Sequence, residues 1–414
     1  MADYLDSLET RDPQTRERDL LAALPALVAR AQTAAGWARI LNGVSAADIT
    51  SRAALARLPV TRKSDLKDLQ KAQPPFGGLT STAPDRLGRV FVSPGPIFDP
   101  EGRSADWWRC ARPMHAVGLR AGQLVQNCYS YHFTPAAFMM EGGAAKIGCA
   151  VIPAGSGQTE MQVQAMVDLK PHAYVGTPSF LKLIIEKARE MGADISSVQR
   201  ALVSAEALPP SLRTWLQQNG IPQVLQWYGS ADIGCIAYES QIDGAPTPGM
   251  IVDEDLLLEI VRPGTGDPVA DGEVGEVVIT SFNPDYPLIR FGTGDLSAVL
   301  DGRSPCGRTN LRIKGWMGRA DQTAKVRAMF VHPSQVADIM RRHPQVAKAR
   351  LVVTGEMAND VMTLQCEVDD PSASAADIID SIRDVTKLRG DVVLMARGTL
   401  PNDGKVIEDA RKYE

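Results

Sequence analysis

Three charged residues in the second half of the chain have the side chains that nucleotide activation requires. Asp295 follows a Thr-Gly turn, where its carboxylate can accept hydrogen bonds from both hydroxyls of a ribose. Arg319 lies in an isolated Gly-Arg-Ala-Asp sequence that ends at Asp321, and its guanidinium suits ribose or phosphate. Lys405 lies far downstream in an Asn-Asp-Gly-Lys sequence. Together these residues predict a nucleotide-activating enzyme, because they supply an acid for a sugar, an arginine for phosphate and a lysine on a separable tail.

Each of these residues also has an ordinary structural interpretation. Asp295 alone is as well explained as a cap of its turn. Arg319 fits a surface ion pair, and Lys405 fits a solvated tail lysine. The chemical interpretation therefore depends on the order of the motifs along the chain.

The elements that must position these residues follow three patterns. From about residue 104 to 219, short apolar strands alternate with longer helices, which predicts a mostly parallel sheet flanked by helices. From about residue 250, β runs joined by Gly, Asp and Pro turns predict a smaller, antiparallel or barrel-like layer. After Asp321, a β–α–β–β–α–β order predicts a small α+β lid. The fold class is therefore α/β, with a large domain at 1–317 and a lid domain at 318–414.

The first hundred residues carry weaker patterns. Apolar residues at helical spacing predict helix across 14–58. Residues 74–103 are rich in Pro and Gly and are predicted to be loop, with one short strand at 89–92.

The order of motifs from about residue 87 to the end resembles the phenylacetate–CoA ligase branch of the adenylate-forming enzymes. The matching segments are Ser-Ala-Glu at 204–206, Tyr-Gly-Ser-Ala-Asp at 228–232, the run from Pro287 to Leu296, Cys-Gly-Arg-Thr at 306–309, Gly-Arg-Ala-Asp at 318–321, Val-His-Pro-Ser-Gln at 331–335 and the Leu-Pro-to-Gly-Lys run at 400–405. Each motif alone is weak, but the ordered set is specific.

The resemblance implies a role for each matched residue. Asp295, Arg319, Tyr228, Gly229, Ser204, Ala205 and Glu206 would bind the nucleotide, Tyr228 by stacking on adenine. Asp232, standing where the family has Glu, would hold Mg²⁺ and take part in catalysis together with Lys405. Asp321 would be the hinge about which the lid rotates. ATP, AMP, Mg²⁺ and coenzyme A would be the cofactors. A buried tyrosine of the core remains the alternative for Tyr228.

The sequence departs from the family at residues 92–103. Relatives have a Ser/Thr/Gly-rich loop there that cradles phosphate, whereas this chain has three prolines and two acids. Ser93, Gly95 and Arg103 remain candidate phosphate contacts. The segment after the Tyr-Gly motif lacks the Cys/His ligands of some relatives, so we expect no structural zinc.

A candidate acyl pocket follows at residues 127–134. Tyr131, His132 and Phe133 resemble the family's aromatic segment and could line a site for a flat acid. Ordinary core packing is the alternative, and His132 is as well explained as a structural histidine.

Composition narrows the class of protein. The chain has 414 residues, a net charge of −5 and 44% hydrophobic residues, typical of a globular protein of two or three domains. That charge favours neither nucleic acid nor an anionic membrane as a partner. Six scattered cysteines predict no disulfide framework, and neither a signal sequence nor a membrane span is evident. We expect a cytoplasmic protein whose protein partner, if any, is a second copy in a homodimer.

These observations predict an AMP-forming ligase that activates a carboxylic acid, aryl or arylacetic, and transfers it to coenzyme A. Two alternatives remain. One is transfer to a carrier-protein thiol or an amine. The other is a catalytically silent protein that binds a nucleotide or acyl-adenylate, an alternative favoured by the altered 92–103 segment.

Overall fold

A computed structural model describes residues 3–262, 266–320, 322–327, 329–355, 359–401 and 406–411. The chain divides into two compact units. The first consists of Met1–Leu208 and Arg213–Met317, and the second of Pro209–Leu212 and Gly318–Glu414. In the described part of the chain, no helix is both long enough and apolar enough to cross a membrane.

The helices begin at residues suited to that position. Asp12 caps the first helix by accepting from the Thr15 amide, and Thr177 caps another by accepting from the Phe180 amide. In the described residues the α-helices are α1 (Pro13–Ala31), α2 (Ala35–Ile40), α3 (Arg52–Ala56), α4 (Leu66–Ala72), α5 (Ala111–Ala116), α6 (Ala136–Ile147), α7 (Thr159–Leu169), α8 (Pro178–Glu190), α9 (Pro210–Gln218), α10 (Pro333–Arg342) and α11 (Ala376–Thr386). The helix predicted across 14–58 is thus broken into three.

The strands carry nearly half of the buried apolar residues of the described chain. They are β1 (Thr61–Arg62), β2 (Arg89–Ser93), β3 (Ile97–Glu101), β4 (Leu124–Asn127), β5 (Ala150–Ile152), β6 (Ala173–Gly176), β7 (Arg200–Val203), β8 (Gln223–Ser230), β9 (Gly234–Tyr238), β10 (Gln241–Ile242), β11 (Ala245–Pro246), β12 (Met250–Val252), β13 (Leu256–Val261), β14 (Gly275–Ser281), β15 (Leu288–Ser297), β16 (Val299–Leu300), β17 (Arg312–Ile313), β18 (Ala324–Val326), β19 (Met329–Val331), β20 (Lys348–Thr354), β21 (Val361–Val368), β22 (Asp391–Ala396) and β23 (Ile407–Asp409).

A nine-stranded sheet forms the centre of the first unit, in the order β16-β17-β12-β9-β8-β7-β6-β4-β5. Strands β4 to β8 pair in parallel, and the other half of the sheet is antiparallel. The carboxyl ends of β7 and β8 lie at the same edge because the two strands are parallel. Ligands of open α/β sheets bind at that edge.

A second, four-stranded sheet has the order β1-β15-β14-β13. Its pairs are antiparallel except for the short β1, which runs parallel to β15 and places Arg62 beside Gly292. This sheet is the smaller β layer that the sequence predicts.

Residues 89–101 form a hairpin, so the prediction of loop after residue 92 is wrong. Strand β3 pairs antiparallel with β2, with Phe91 opposite Asp99 and Ser93 opposite Ile97. Pro94 and Pro96 lie in the turn, where a missing N–H removes no ladder bond. Two of the three prolines that suggested a loop thus lie between the strands, and the third, Pro100, lies within β3 opposite Val90.

The second unit has its own core, and its elements follow the predicted β–α–β–β–α–β order with one more strand at each end, because β18 and β19 precede α10 and β22 and β23 follow α11. Its sheet is β22-β21-β20-β23, with β20 and β21 antiparallel and the outer pairs parallel. Buried Val336, Ile339, Ile378 and Ile382 of α10 and α11 belong to the same hydrophobic cluster as Leu364 of the sheet. The α/β fold class is confirmed.

Candidate nucleotide-activating site

Strand β15 presents Asp295 just after Gly294, whose φ of +73° favours glycine. The Tyr228 hydroxyl donates to one carboxylate oxygen of Asp295 at 2.9 Å. The Trp316 indole Nε1–H donates to the other at 3.0 Å. The Asp295 amide in turn donates to the Thr293 hydroxyl at 3.1 Å. The carboxylate is therefore oriented by a phenol and an indole, and a carboxylate oxygen can accept more than one hydrogen bond.

Tyr228 lies near the end of β8 with 9% of its surface exposed. Sequence analysis assigned its ring to adenine and did not foresee that its hydroxyl holds Asp295. The next residue is Gly229, and a side chain at this position would have no room. A Cβ would lie 2.3 Å from the Gly234 carbonyl oxygen and 2.5 Å from Trp227.

The second candidate nucleotide segment follows β7, at the same sheet edge as Tyr228. The Ser204 amide donates to the Gly176 carbonyl at 3.3 Å, and Ala205 has a φ of +70°, an uncommon conformation for alanine. The Glu206 carboxylate accepts from the Ser179 hydroxyl at 2.5 Å. The structure thus brings the Ser-Ala-Glu segment to the edge of the sheet where β8 ends.

Asp232 lies between β8 and β9, and its side chain is fully buried. One of its oxygens contacts the Lys63 ammonium, a partner that the sequence gave no reason to expect. Its other oxygen, Oδ1, has no hydrogen-bond partner among the described residues. Asp232 thus pairs with Lys63 through one carboxylate oxygen, while its other oxygen has no hydrogen-bond partner in the described part of the chain.

Asp99 of β3 is the second buried acid of this cluster. Within the described chain neither of its oxygens has a hydrogen-bond partner. Burial and the neighbouring Asp232 carboxylate raise the pKa of Asp99 to about 7. Ser93, the predicted phosphate contact on the same hairpin, is buried and its hydroxyl donates to the Ile97 carbonyl at 3.4 Å. The hairpin therefore brings an acid toward Asp232 and uses its serine internally.

The three predicted acyl-pocket residues have different surroundings. The Tyr131 hydroxyl donates to Glu141 at 2.9 Å and accepts from Asn127 at 2.9 Å. Burial raises the pKa of Tyr131. His132 and Phe133 are exposed, Phe133 to 62%, and their rings pack edge-to-face at 4.6 Å. The Tyr131 hydroxyl is thus held by Asn127, which lies within the predicted 127–134 segment, and by Glu141, which lies outside it.

In the second unit, Arg319 is half-buried and its guanidinium stacks over the Phe330 ring at 5.4 Å. Asp321 and Lys405, the predicted hinge and catalytic lysine, lie outside the described residues. Among the residues that are described, no group of three or more His, Cys, Asp or Glu side chains is placed to hold a metal ion. The six cysteines, all within the described chain, are unpaired.

Comparison with known proteins identifies the class. The family model of AMP-binding enzymes matches residues 110–283. The phenylacetate–coenzyme A ligase of Thermus thermophilus is 30% identical over 328 residues, which are 77% of this chain and 73% of the relative. That of Escherichia coli is 27% identical over 389 residues, which are 88% and 86% of the two chains.

Solved structures share the fold. A 2-hydroxyisobutyryl-CoA ligase bound to 2-HIB-AMP and CoA superposes with a TM-score of 0.81 at 24% identity, covering 98% of this chain and 92% of the other. The amide bond synthetase of Marinactinospora thermotolerans has a TM-score of 0.56 at 16% identity, with 93% and 92% covered. The protein is thus an AMP-binding enzyme. Within that class, the chain belongs to the phenylacetate–coenzyme A ligase family, and the predicted resemblance is confirmed.

Proposed function

We propose that this protein is an AMP-forming acid–thiol ligase that activates a carboxylic acid and transfers the acyl group to coenzyme A. The observation that carries this function is the Asp295 carboxylate, oriented by Tyr228 and Trp316 in a chain of the phenylacetate–CoA ligase family. A carboxylate so held accepts from the two ribose hydroxyls and directs the phosphates toward the acid.

The reaction has two balanced steps. A carboxylate oxygen of the acid attacks the α-phosphorus of ATP, and pyrophosphate leaves with the electrons of the broken P–O bond. The coenzyme A thiol then loses its proton to solvent and attacks the acyl carbon, and AMP leaves with the electrons of the broken bond between the acyl carbon and the phosphate oxygen. In both steps the negative charge on phosphate must be neutralised, and positioned cations can neutralise it. We assign that role in the first step to Lys405, because an ammonium is a compact positive charge.

Magnesium is the metal we propose for the first step. Asp232 Oδ1 and the two Asp99 oxygens are buried oxygen donors without a hydrogen-bond partner in the described chain, and magnesium prefers such ligands. These residues fit the ion, which would supply further positive charge to the phosphates. The shorter Asp232, where relatives have Glu, is compatible with an intervening water.

The acid is proposed to be aryl or arylacetic. The supporting fact is that the family relatives are phenylacetate–coenzyme A ligases. Tyr131, His132 and Phe133 stay predictions for this pocket, as do Arg319 and the Ser204–Ala205–Glu206 segment for the nucleotide. A cytoplasmic location and a homodimer also stay predictions.

The test is ATP–pyrophosphate exchange driven by a panel of carboxylic acids, followed by product analysis with coenzyme A. We expect phenylacetate or another aromatic acid to support exchange and thioester formation. Exchange without thioester formation would point to a carrier-protein thiol or an amine as acceptor. AMP binding without exchange for any acid would favour the silent binding protein, a candidate that the acid-bearing β2–β3 hairpin supports.

A further inference from the structure

The chain on either side of Lys405 is attached to one strand of the second unit. Lys405 follows Pro401 by four residues and is bonded directly to Val406. The Pro401 carbonyl accepts hydrogen bonds from two side chains of β20. The Val406 carbonyl accepts from the Leu351 amide of the same strand at 2.9 Å. Strand β20 therefore fixes the backbone both before and after the proposed catalytic lysine.

Two oppositely charged residues hold the backbone at Leu400. Lys348 of β20 and Glu367 of β21 are paired directly across the two antiparallel strands, so their side chains lie on the same face of the sheet. The Glu367 carboxylate accepts from the Leu400 amide at 2.6 Å. The Lys348 ammonium donates to the Leu400 carbonyl at 3.4 Å and to the Pro401 carbonyl at 2.9 Å. An acid thus holds the amide of Leu400, and a cation holds the carbonyls that follow it.

The Glu367 carboxylate is suited to hold this backbone. The residue is 5% exposed. Hydrogen bonds from the Leu400 and Gly398 amides lower the pKa of Glu367, so the acid is charged at neutral pH. A turn at Gly398, where φ is +82°, brings these amides toward one carboxylate. Hydrogen bonds to a charged acceptor are stronger than those between neutral groups.

Arg350 connects the chain before Lys405 to the chain after it. Its guanidinium donates to the Pro401 carbonyl at 3.2 Å and to the Glu408 carboxylate at 3.1 Å. Glu408 lies on β23, which pairs in parallel with β20. Because Lys405 is only four residues from Pro401, fixing these points limits the region that its ammonium can reach.

We propose that Lys348 and Glu367 are positioning residues for adenylation, which hold the backbone before Lys405 so that its ammonium reaches the phosphates of ATP. The proposal rests on the proposed function, because that function assigns Lys405 to the first step. Neither positioning residue transfers a proton. A misplacement of about 1 Å can slow a reaction by about 100-fold, so loss of these contacts should act on the step that uses Lys405.

The test measures the two half-reactions separately in Lys348→Met and Glu367→Ala. We expect each variant to lose at least about tenfold in phenylacetate-dependent ATP–pyrophosphate exchange. Thioester formation from synthetic phenylacetyl-adenylate and coenzyme A should not change. Lys348→Arg should restore most of the pyrophosphate exchange, because a guanidinium can also donate to both carbonyls. Lys387→Met, on exposed Lys387 at the end of α11, is the matched control.

Two further measurements show whether the effect passes through the backbone and Lys405. In a Lys405→Ala background, Lys348→Met should cause no further loss of pyrophosphate exchange, because the lysine that it positions is gone. Hydrogen exchange of the Leu400 amide is independent of activity. It should be at least about tenfold faster in Glu367→Ala than in the wild type, and unchanged in Lys387→Met.

Three results would overturn the proposal. They are unchanged pyrophosphate exchange in both variants, an equal fall in both half-reactions, and a full further loss in the Lys405→Ala background. If Glu367→Ala does not fold, Lys348→Met is used for the same measurements. A wild type that makes no acyl-adenylate from any acid would refute the proposed function. Hydrogen exchange at Leu400 would then still decide whether Lys348 and Glu367 hold this backbone.

Discussion

Asp295 depends on its neighbours for its orientation. Tyr228 lies on β8 of the large sheet, and Trp316 lies in the segment after β17. Hydrogen bonds to a charged acceptor are among the stronger ones in proteins, so each donor restricts the carboxylate before a ribose binds. The sequence predicted Asp295 and Tyr228 as residues of one site, but it did not predict Trp316, whose single indole donor has no recognisable pattern.

Replacing Trp316 by Phe should weaken nucleotide binding without unfolding the protein. The substitution removes the indole N–H donor and keeps an aromatic ring, so we expect a loss of about 1.5 kcal/mol, or about tenfold in the Kd for AMP. Calorimetric titration with AMP measures this. Trp215→Phe on α9 is the control, and a Kd equal to that of the wild type in Trp316→Phe would contradict the positioning role.

At the scale of elements, the two strands of the β2–β3 hairpin differ in how well the sequence predicts them. Strand β2 was predicted at 89–92, whereas β3 contains Asp99, Pro100 and Glu101 and has no strand pattern. Its formation depends on pairing with β2, a contact that local propensity does not encode. For the same reason the sequence did not predict that Lys63 contacts Asp232. Its contact with Asp232 joins residues that are far apart in sequence.

Asp99 should make the stability of the protein depend on pH. Its pKa is raised to about 7 when folded, against an ordinary carboxyl value when unfolded, so its stabilising proton is lost as the pH rises toward 7. Asp99→Asn carries no titrating group and should lose less stability between pH 5 and pH 8. Thermal unfolding of both proteins in EDTA buffer measures the difference, and equal slopes with pH would show that Asp99 is ionised throughout.

Arg290 ties β15 to the rest of the first unit. Its buried guanidinium donates to Glu259 at 3.0 Å, to the Leu58 carbonyl at 2.6 Å and to the Gly266 carbonyl at 2.6 Å. Arg290→Met leaves the Glu259 charge buried and unpaired, so we expect a loss of about 3–5 kcal/mol in the free energy of unfolding. Chemical denaturation measures it. The surface pair of Lys187 and Glu190 provides the control, since Lys187→Met should change stability far less than Arg290→Met does.

At the scale of the whole molecule, the chain divides into two compact units. The second unit has its own sheet, helices and hydrophobic core. The alternation of strands and helices predicted both layers of the first unit and the order of elements in the second, because these depend on periodic apolar residues. The positions of polar contacts depend on tertiary structure and were not predictable in this way.

Lys405→Ala and Asp321→Pro should impair different steps. If Lys405 neutralises charge during adenylation, Lys405→Ala should lose exchange by at least about 100-fold and keep thioester formation from synthetic acyl-adenylate. If Asp321 is the hinge, Asp321→Pro should keep exchange and lose thioester formation, because its backbone torsions are restricted. Both half-reactions are measured for both variants. Undiminished exchange in Lys405→Ala would remove the role assigned to that lysine.

The central claim is that the Asp295 carboxylate binds both hydroxyls of the ribose. Calorimetry with AMP and with 2′,3′-dideoxy-AMP, on the wild type and on Asp295→Ala, tests it most directly. We expect the wild type to prefer AMP by at least about tenfold and the variant to bind the two nucleotides equally. A variant that still prefers AMP as strongly as the wild type does would show that another group binds the sugar.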